Sequence, residues 1–163
     1  MSHLAPRFLA DRMLGKLARW LRILGYDTAY LPQLSPEGVM REGRRQGRVI
    51  LTRDTRLLRR KGMPPFVFVH SDRFREQLRQ VVDTLQLAPL PSPALFSRCI
   101  KCNRVLEEVA KDEVREQVPE YVWQTQIEFH RCPECHRLYW GATHRDHVRE
   151  ELRRLGFIRK SEG

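Results

Sequence analysis

Three aspartates could form a metal-binding cluster, because each follows a short apolar stretch of strand length. They are Asp11 after residues 8–10, Asp54 after residues 49–51 and Asp72 after residues 66–69. Ligands of open α/β sheets lie beyond the carboxyl ends of the strands, so we expect these carboxylates to meet at one rim of a sheet. Carboxylate oxygens suit hard cations such as Mg²⁺ or Mn²⁺. A cap on the following helix is the plainer interpretation of each aspartate, and both remain open.

Four cysteines form a second group with the spacing of metal ligands. They occur as two Cys-x₂-Cys pairs, Cys99 with Cys102 and Cys132 with Cys135. Four thiolates arranged in this way are the ligand set of a tetrahedral structural zinc site. Disulfides are the alternative, which a cytoplasmic location and the paired motifs disfavour. Because the protein would fill all four positions, this zinc is expected to hold a small minidomain together and not to take part in catalysis.

The elements that position these residues follow from the apolar pattern. Four parallel strands are predicted at residues 8–10, 28–31, 49–51 and 66–69, separated by helices that begin after Asp11, at Ser35-Pro36, after Asp54 and at Ser71-Asp72. Two ribbon strands are predicted at residues 127–131 and 137–140, followed by a helix at 146–155. The fold class is therefore α/β, with a mainly parallel sheet flanked by helices and a C-terminal zinc ribbon.

Three prolines between residues 88 and 97 predict a linker between two domains. We accordingly divide the chain into a first domain at residues 1–88, a linker at 89–97 and a zinc ribbon with a terminal helix at 98–163. No apolar run approaches the length of a membrane span, and the first seven residues lack the core of a signal peptide. We expect a cytoplasmic protein with no membrane partner.

The positive charge is concentrated in the first half of the chain. Residues 1–90 contain 17 Lys and Arg against 8 Asp and Glu, a net charge of +9, whereas residues 91–163 contain 13 against 12. A basic surface around an acidic pocket suits a polyanion such as nucleic acid. Arg12, Lys16 and Arg19 share a face of the first helix, which is either a solvated face or a phosphate-binding one. A general preference for arginine is the alternative explanation of the charge.

The segment after the second cysteine pair contains further candidates for RNA binding. Trp140, His144 and Arg145 could stack on and contact bases. A tryptophan ring packed over the zinc site is the favoured alternative for Trp140. His144 is retained as an RNA-binding candidate.

Several motifs resemble one known family in the same order along the chain. They are residues 8–27, residues 47–54 with Thr52-Arg53-Asp54, Arg98-Cys99-x₂-Cys102-Asn103, Cys132-Pro133-x-Cys135 and Tyr139-Trp140-x₂-Thr143-His144. They are similar to PIN-like ribonuclease domains with a C-terminal zinc ribbon, the Mut-seven C-terminal RNase family. The resemblance implies a PIN-like sheet whose acidic cluster binds divalent metal and cleaves RNA.

The resemblance also implies roles for particular residues. The catalytic carboxylates would be Asp11, Asp54 and Asp72, with Glu37 as the acid expected from the second helix. Arg53 would orient a carboxylate or contact a phosphate.

The leading hypothesis is a ribonuclease that hydrolyses phosphodiester bonds of RNA, single-stranded by preference, with Mg²⁺ or Mn²⁺ at the aspartates and structural zinc at the cysteines. The alternative is a non-catalytic RNA-binding module with a structural zinc ribbon. A metal-dependent phosphatase acting on small substrates is a third hypothesis. The sequence leaves the oligomeric state open.

Overall fold

The computed structural model describes residues 4–87 and 96–157, and only the backbone of residues 142–144. The chain divides into two compact units, Met1–Leu95 and Phe96–Gly163. The predicted linker at residues 89–97 lies largely outside the described residues, so the predicted domain boundaries stay predictions. None of the helices in the described ranges has the length and apolar character needed to cross a membrane.

The first unit is built on a sheet of four parallel strands flanked by helices. The strands are β1 (Phe8–Ala10), β2 (Thr28–Tyr30), β3 (Val49–Thr52) and β4 (Phe66–Phe68), and the helices are α1 (Gly15–Ile23), α2 (Pro36–Gln46), α3 (Thr55–Leu58) and α4 (Phe74–Leu85). The spatial order is β2-β1-β3-β4, and every neighbouring pair is parallel. The predicted α/β class with a parallel sheet is therefore confirmed.

The sheet is covered on both faces, which explains why its strands are continuously apolar. On one face, Leu9 and Ile50 pack with Val39 of α2 and Leu57 of α3 in a buried cluster. The neighbouring side chains in the strands point to the opposite face, where α1 contacts β1 and packs against α4. Strands buried on both faces are typical of parallel sheets between layers of helices.

Local sequence signals fix the ends of α2. The Ser35 hydroxyl accepts a hydrogen bond from the Gly38 N–H at 3.2 Å and caps the first turn, which Pro36 starts. Gly47 ends the helix in the left-handed conformation, with φ of 64°. The start of α2 agrees with the helix predicted to begin at Ser35-Pro36.

The second unit contains a three-stranded antiparallel sheet with the order β5-β6-β7, formed by β5 (Glu107–Val109), β6 (Phe129–Arg131) and β7 (Leu138–Trp140). Helix α5 (Glu120–Thr125) precedes β6, and α6 (Ala142–Arg154) follows β7. A small core of Val114, Val118, Val122 and Phe129 packs beside the sheet.

Two parts of this unit differ from the expectation. Strand β5 and helix α5 were not predicted. In β5, Glu107 and Glu108 are exposed and interrupt the apolar alternation that identifies a strand. Helix α6 begins at Ala142 and not at Asp146. Residues 142–145 therefore belong to the helix and not to a loop before it.

Candidate active site and metal centre

Asp11 and Asp54 meet at the carboxyl edge of the parallel sheet. Asp11 directly follows β1, and Asp54 lies just beyond β3, which is paired with β1. The strand order reverses between these two strands, and ligands of open α/β sheets bind at such a point. Both aspartates line one cavity of about 500 Å³, together with residues from the loop after β2 and the start of α2. The structure therefore places two of the three predicted carboxylates in the wall of one cavity.

The Asp11 carboxylate is held in one orientation by three donors. Its Oδ1 accepts from the Met13 N–H at 3.1 Å, and its Oδ2 accepts from the Arg53 N–H at 3.0 Å and from the Thr52 hydroxyl. The residue is only 6% exposed. Asp11 thus caps the 3₁₀ turn Arg12–Leu14 and also forms part of the cavity wall, so the two interpretations of this aspartate are compatible.

Thr52 connects the two carboxylates physically. Its buried hydroxyl donates to Asp11 and accepts a hydrogen bond from the backbone N–H of Asp54 at 2.9 Å. One side chain at the end of β3 therefore fixes the orientation of Asp11 and the backbone that carries Asp54. Thr52 belongs to the Thr52-Arg53-Asp54 motif, but its positioning role depends on contacts that the sequence does not display.

Asp54 is paired with a cation from its own helix. The Asp54 carboxylate accepts from the Arg56 guanidinium through both oxygens, at 2.8 to 3.2 Å, and from the Arg56 N–H at 2.9 Å. The hydrogen bonds from the Arg56 side chain are the main reason that the pKa of Asp54 lies below its usual value. Asp54 is therefore an anion at neutral pH, and it also caps α3.

The other two predicted acidic residues lie elsewhere. Asp72 is exposed and lines a neighbouring cavity of about 550 Å³, to which Lys16 also contributes. Glu37 is exposed in the first turn of α2 and forms an ion pair with Arg60. Neither residue lines the cavity that Asp11 and Asp54 share. Their proposed roles as metal ligands stay predictions.

The interpretation of Asp72 as the cap of α4 is wrong. The residue before α4 is Arg73, whose N–H donates at 3.0 Å to the hydroxyl of Ser71. The Ser71 hydroxyl thus supports the turn before the helix, and α4 has no side-chain cap hydrogen bond. The Asp72 side chain is left at the surface of the second cavity.

The predicted RNA-binding side chains are distributed along the surface of the first unit. Arg12 lines the cavity of Asp11 and Asp54, Lys16 lines the second cavity, and Arg19 is exposed on α1. The Met13 side chain lines both cavities, so the two are neighbours. Arg53 has a structural contact instead: its guanidinium donates to the carbonyl oxygens of Val69 and His70 at 3.1 and 2.6 Å.

The four cysteines form the second site, and their geometry suits a tetrahedral metal. All four Sγ atoms lie within 4.8 Å of one another, and those of Cys99 and Cys135 are 3.7 Å apart. Sulfurs about 2.3 Å from a tetrahedral zinc would be about 3.8 Å apart. Among the described residues, these cysteines are the one group of three or more His, Cys, Asp or Glu side chains close enough to share an ion.

Each cysteine pair is a turn with the same hydrogen bonds. In the first, the Cys99 N–H donates to the Arg104 carbonyl and the Asn103 N–H donates to the Cys99 carbonyl, both at 2.8 Å. In the second, Cys132, Arg137 and His136 repeat the pattern at 3.0 and 2.9 Å. Asn103 and His136 both have positive φ, 67° and 62°, which lets the chain turn back after each second cysteine.

The protonation of this cluster also indicates a cation site. Burial would raise the pKa of Cys99, but hydrogen bonds from the Tyr139 hydroxyl and from backbone N–H groups outweigh it and lower that pKa to about 7. Burial and the neighbouring Cys135 thiol raise the pKa of Cys102 to about 12. The Cys99 thiolate therefore forms readily, whereas the Cys102 thiol would lose its proton more readily beside a bound cation.

The aromatic residues of β7 face different partners. The Tyr139 hydroxyl lies 3.1 Å from Cys99 Sγ and accepts from the Ile100 N–H at the same distance. Trp140 packs against the small core of the second unit, with its ring centroid 6.5 Å from that of Phe129. The favoured interpretation placed Trp140 over the zinc site, but Tyr139 is the ring residue there. The side chain of His144 lies outside the described part of the structure.

Sequence reasoning missed two functional candidates. One is Arg56, and the other is the contact between Tyr139 and Cys99. Arg56 had a detectable signal, because an arginine two residues after a capping aspartate can reach back to it. Tyr139 had been noted only as part of a motif, and its proximity to Cys99 depends on the pairing of distant segments.

A family model describing the Mut7-C RNAse domain matches residues 6–152. The chain therefore belongs to this family, which confirms the resemblance. The family suggests a ribonuclease and implies RNA as its substrate or partner. The comparisons with curated proteins and with solved structures found no match.

Proposed function

We propose that the protein is a ribonuclease that depends on a divalent metal and hydrolyses phosphodiester bonds of RNA. The observation that carries this proposal is the shared cavity of Asp11 and Asp54 at the edge where β1 and β3 end side by side. The two carboxylates come from distant parts of the sequence and are connected through Thr52. The family assignment supports RNA as the substrate.

The donor set fits a hard cation such as Mg²⁺ or Mn²⁺. Asp11 and Asp54 offer carboxylate oxygens, and Asp54 is kept anionic by its low pKa. When bound, such a cation lowers the pKa of a coordinated water and stabilises the charge that develops on the phosphate. The family resemblance also suggests Glu37 and Asp72 as ligands. Because both lie outside the shared cavity, we propose that they contribute less to cation binding than Asp11 and Asp54 do.

The protein's own residues orient the reacting groups. Thr52 and the Arg53 N–H fix the Asp11 carboxylate, so no rotation of that side chain is needed when a substrate arrives. Arg12, in the wall of the same cavity, is positioned to bind a phosphate oxygen of the RNA. Lys16 and Arg19, on the helix α1 that follows, extend the positive surface. This basic surface contacts the backbone without reading sequence, which suits single-stranded RNA.

Several broader predictions belong to the same proposal. The sheet is proposed to be a PIN-like nuclease domain, and the four-cysteine cluster is proposed to hold structural zinc. A cytoplasmic location agrees with four free cysteines in place of disulfides. His144 stays a predicted RNA contact.

The proposal is tested by cleavage of end-labelled single-stranded RNA by the zinc-loaded full chain, with and without added Mn²⁺, and with the variants Asp11→Asn and Asp54→Asn. We expect cleavage only with the cation. We expect each variant to reduce it by more than about 100-fold, the upper limit for loss of a group that merely orients a ligand. Asp83→Asn, an exposed change on α4, is the matched control. Cleavage that persists in both site variants refutes the proposal.

The alternative, a non-catalytic RNA-binding module, gives a different result in the same experiment. It predicts RNA binding that weakens with salt, no cleavage with any cation, and little effect of either aspartate variant on binding. A catalytic site predicts that binding persists in Asp11→Asn while cleavage is lost. Measuring binding and cleavage on the same variants therefore separates the two.

A further inference from the structure

Arg56 occupies an unusual position in the candidate active site. Its guanidinium lies against both carboxylate oxygens of Asp54, with the Nη2–Oδ2 distance at 2.8 Å, and its side chain lines the same cavity. A cation that binds to Asp54 must therefore compete with this guanidinium. In the absence of metal, Arg56 is the counter-ion of a proposed metal ligand.

The Arg56 side chain can leave this position at little cost. It is 68% exposed, whereas the Asp54 side chain is 17% exposed, so releasing the arginine opens no space in the core. Exposed ion pairs of this kind contribute only about 0.2–1 kcal/mol, because water solvates the separated charges well. Hydrogen bonds from Arg53, Thr52 and Met13 hold Asp11 more firmly than the surface arginine holds Asp54.

Besides solvent, two anionic partners are available to the released guanidinium. One is a phosphate oxygen of an RNA strand in the cavity, since a guanidinium binds phosphate through two parallel hydrogen bonds. The other is Glu37, which lies close enough to interact electrostatically with Arg56. Glu37 already forms an ion pair with Arg60, which favours the phosphate.

We infer that Arg56 is an exchangeable cation of the active site: it neutralises Asp54 until a divalent metal binds there, and it then binds a phosphate of the RNA substrate. The inference rests on the proposed function, because it takes Asp54 as a metal ligand and RNA as the substrate. It adds a substrate-binding residue and predicts that metal binding makes that residue available.

The first test measures metal affinity without RNA. Mn²⁺ is titrated calorimetrically into the full chain, previously saturated with one equivalent of zinc, for the wild type, Arg56→Gln, Arg59→Gln and Asp54→Asn. Arg59→Gln is the matched control, because it removes the same charge from the end of the same helix and Arg59 does not line the cavity. We expect Arg56→Gln to bind Mn²⁺ about two- to fivefold more tightly than Arg59→Gln, from the strength of such an ion pair. Equal affinity of these two variants overturns the inference.

The second test measures the RNA contact. The affinity for single-stranded RNA is measured at increasing salt concentrations. It is taken as KM where the chain cleaves RNA and as Kd where it does not. One lost phosphate contact lowers the slope of log affinity against log salt by about 0.7. We expect this loss for Arg56→Gln, relative to Arg59→Gln, with Mn²⁺ present and not in the zinc-loaded protein without added Mn²⁺, where Asp54 retains the guanidinium. An unchanged slope with Mn²⁺ means that Arg56 moves to Glu37 or to solvent, and it rejects the phosphate contact.

The outcomes also separate this inference from the proposed function. If Asp54→Asn abolishes cleavage while Arg56→Gln behaves like Arg59→Gln in both tests, the ribonuclease proposal stands and the role of Arg56 is refuted. If neither the wild type nor any variant cleaves RNA, but Arg56→Gln still binds Mn²⁺ more tightly than Arg59→Gln, the metal competition stands without the catalytic proposal. Arg56→Lys, which keeps the charge but loses the paired hydrogen bonds, should lie between Arg56→Gln and the wild type in Mn²⁺ affinity.

Discussion

The two candidate metal sites of this protein are built in opposite ways. The cysteine cluster takes its donors from two short turns with the same internal hydrogen bonds, and each turn supplies both of its thiols within four residues. The carboxylate site takes Asp11 and Asp54 from the ends of two strands that only the folded sheet brings together. One site is thus largely encoded locally, and the other depends on topology.

The surroundings of the donors differ as well. The Cys102 and Cys132 thiols have raised pKa values, so a bound cation would help both of them to become thiolates. The carboxylates are already satisfied by the protein, Asp11 by Thr52 and backbone N–H groups and Asp54 by Arg56. We therefore expect metal to maintain the fold at the first site and to be exchangeable at the second.

The strongest test of this contrast is Cys132→Ser, compared with Asp11→Asn. Structural zinc contributes about 10–16 kcal/mol of apparent binding free energy at neutral pH, which matches or exceeds the whole stability of a typical domain, about 5–15 kcal/mol. We therefore expect Cys132→Ser to lose zinc and to unfold the second unit. Asp11→Asn should leave one zinc per chain and the fold unchanged.

The measurements are zinc content by mass spectrometry and amide hydrogen exchange along the chain. In Cys132→Ser, protection should disappear from β6 and from the core around Val114 and Phe129, while β1 and β3 keep theirs. Full protection of β6 without bound zinc would contradict a metal-dependent second unit. Loss of protection in β1 would show that the two units do not fold separately.

The same contrast explains what the sequence could predict. The spacing of Cys99, Cys102, Cys132 and Cys135 indicates a shared site because each pair is closed by a short turn. The parallel sheet was equally accessible, since its four strands are short apolar runs separated by helices with clear signals such as Ser35 and Gly47. Strand β5 could not be predicted because its exposed glutamates give no apolar alternation, and its pairing with β6 is not visible in the sequence.

The carboxylate site was predicted only in part, for a physical reason. An aspartate at a strand end looks the same in sequence whether it faces the shared cavity, as Asp54 does, or a neighbouring one, as Asp72 does. The difference comes from the paths of the chain after β3 and β4, and these depend on side-chain contacts such as those of Arg53 with Val69 and His70. The apolar periodicity of the sequence does not indicate such contacts.

A smaller effect is expected from Thr52→Val, which tests whether the carboxylate site depends on positioning. The variant removes the donor to Asp11 Oδ2 and the acceptor of the Asp54 N–H while keeping the shape of the side chain. Loss of a group that orients a metal ligand typically costs about 10–100-fold in affinity or activity. We expect Mn²⁺ affinity and RNA cleavage to fall within that range, with zinc content unchanged.

The controls for Thr52→Val are Thr52→Ser and Thr84→Val. Serine keeps the hydroxyl and should restore most of the activity, whereas Thr84 is exposed on α4 and should tolerate valine. A Thr52→Val variant with normal Mn²⁺ affinity but lower thermal stability would assign Thr52 a purely structural role, because an unsatisfied buried polar group alone costs about 1–3 kcal/mol.

The smallest effect is expected from Asp72→Asn, which decides how far the carboxylate site extends. Because Asp72 is exposed in the neighbouring cavity beside Lys16, we expect its loss to change RNA cleavage by less than about tenfold, below the effect of losing a group that orients a ligand. Mn²⁺ affinity without RNA should also fall by less than about tenfold. Glu76→Gln, at another exposed acid of the same cavity, is the matched control. A loss as large as that of Asp11→Asn would mean that the chain after β4 rearranges on metal binding and brings Asp72 to the cation. The carboxylate site would then be completed by its metal, as the cysteine cluster is, and the contrast between the two sites would be one of degree.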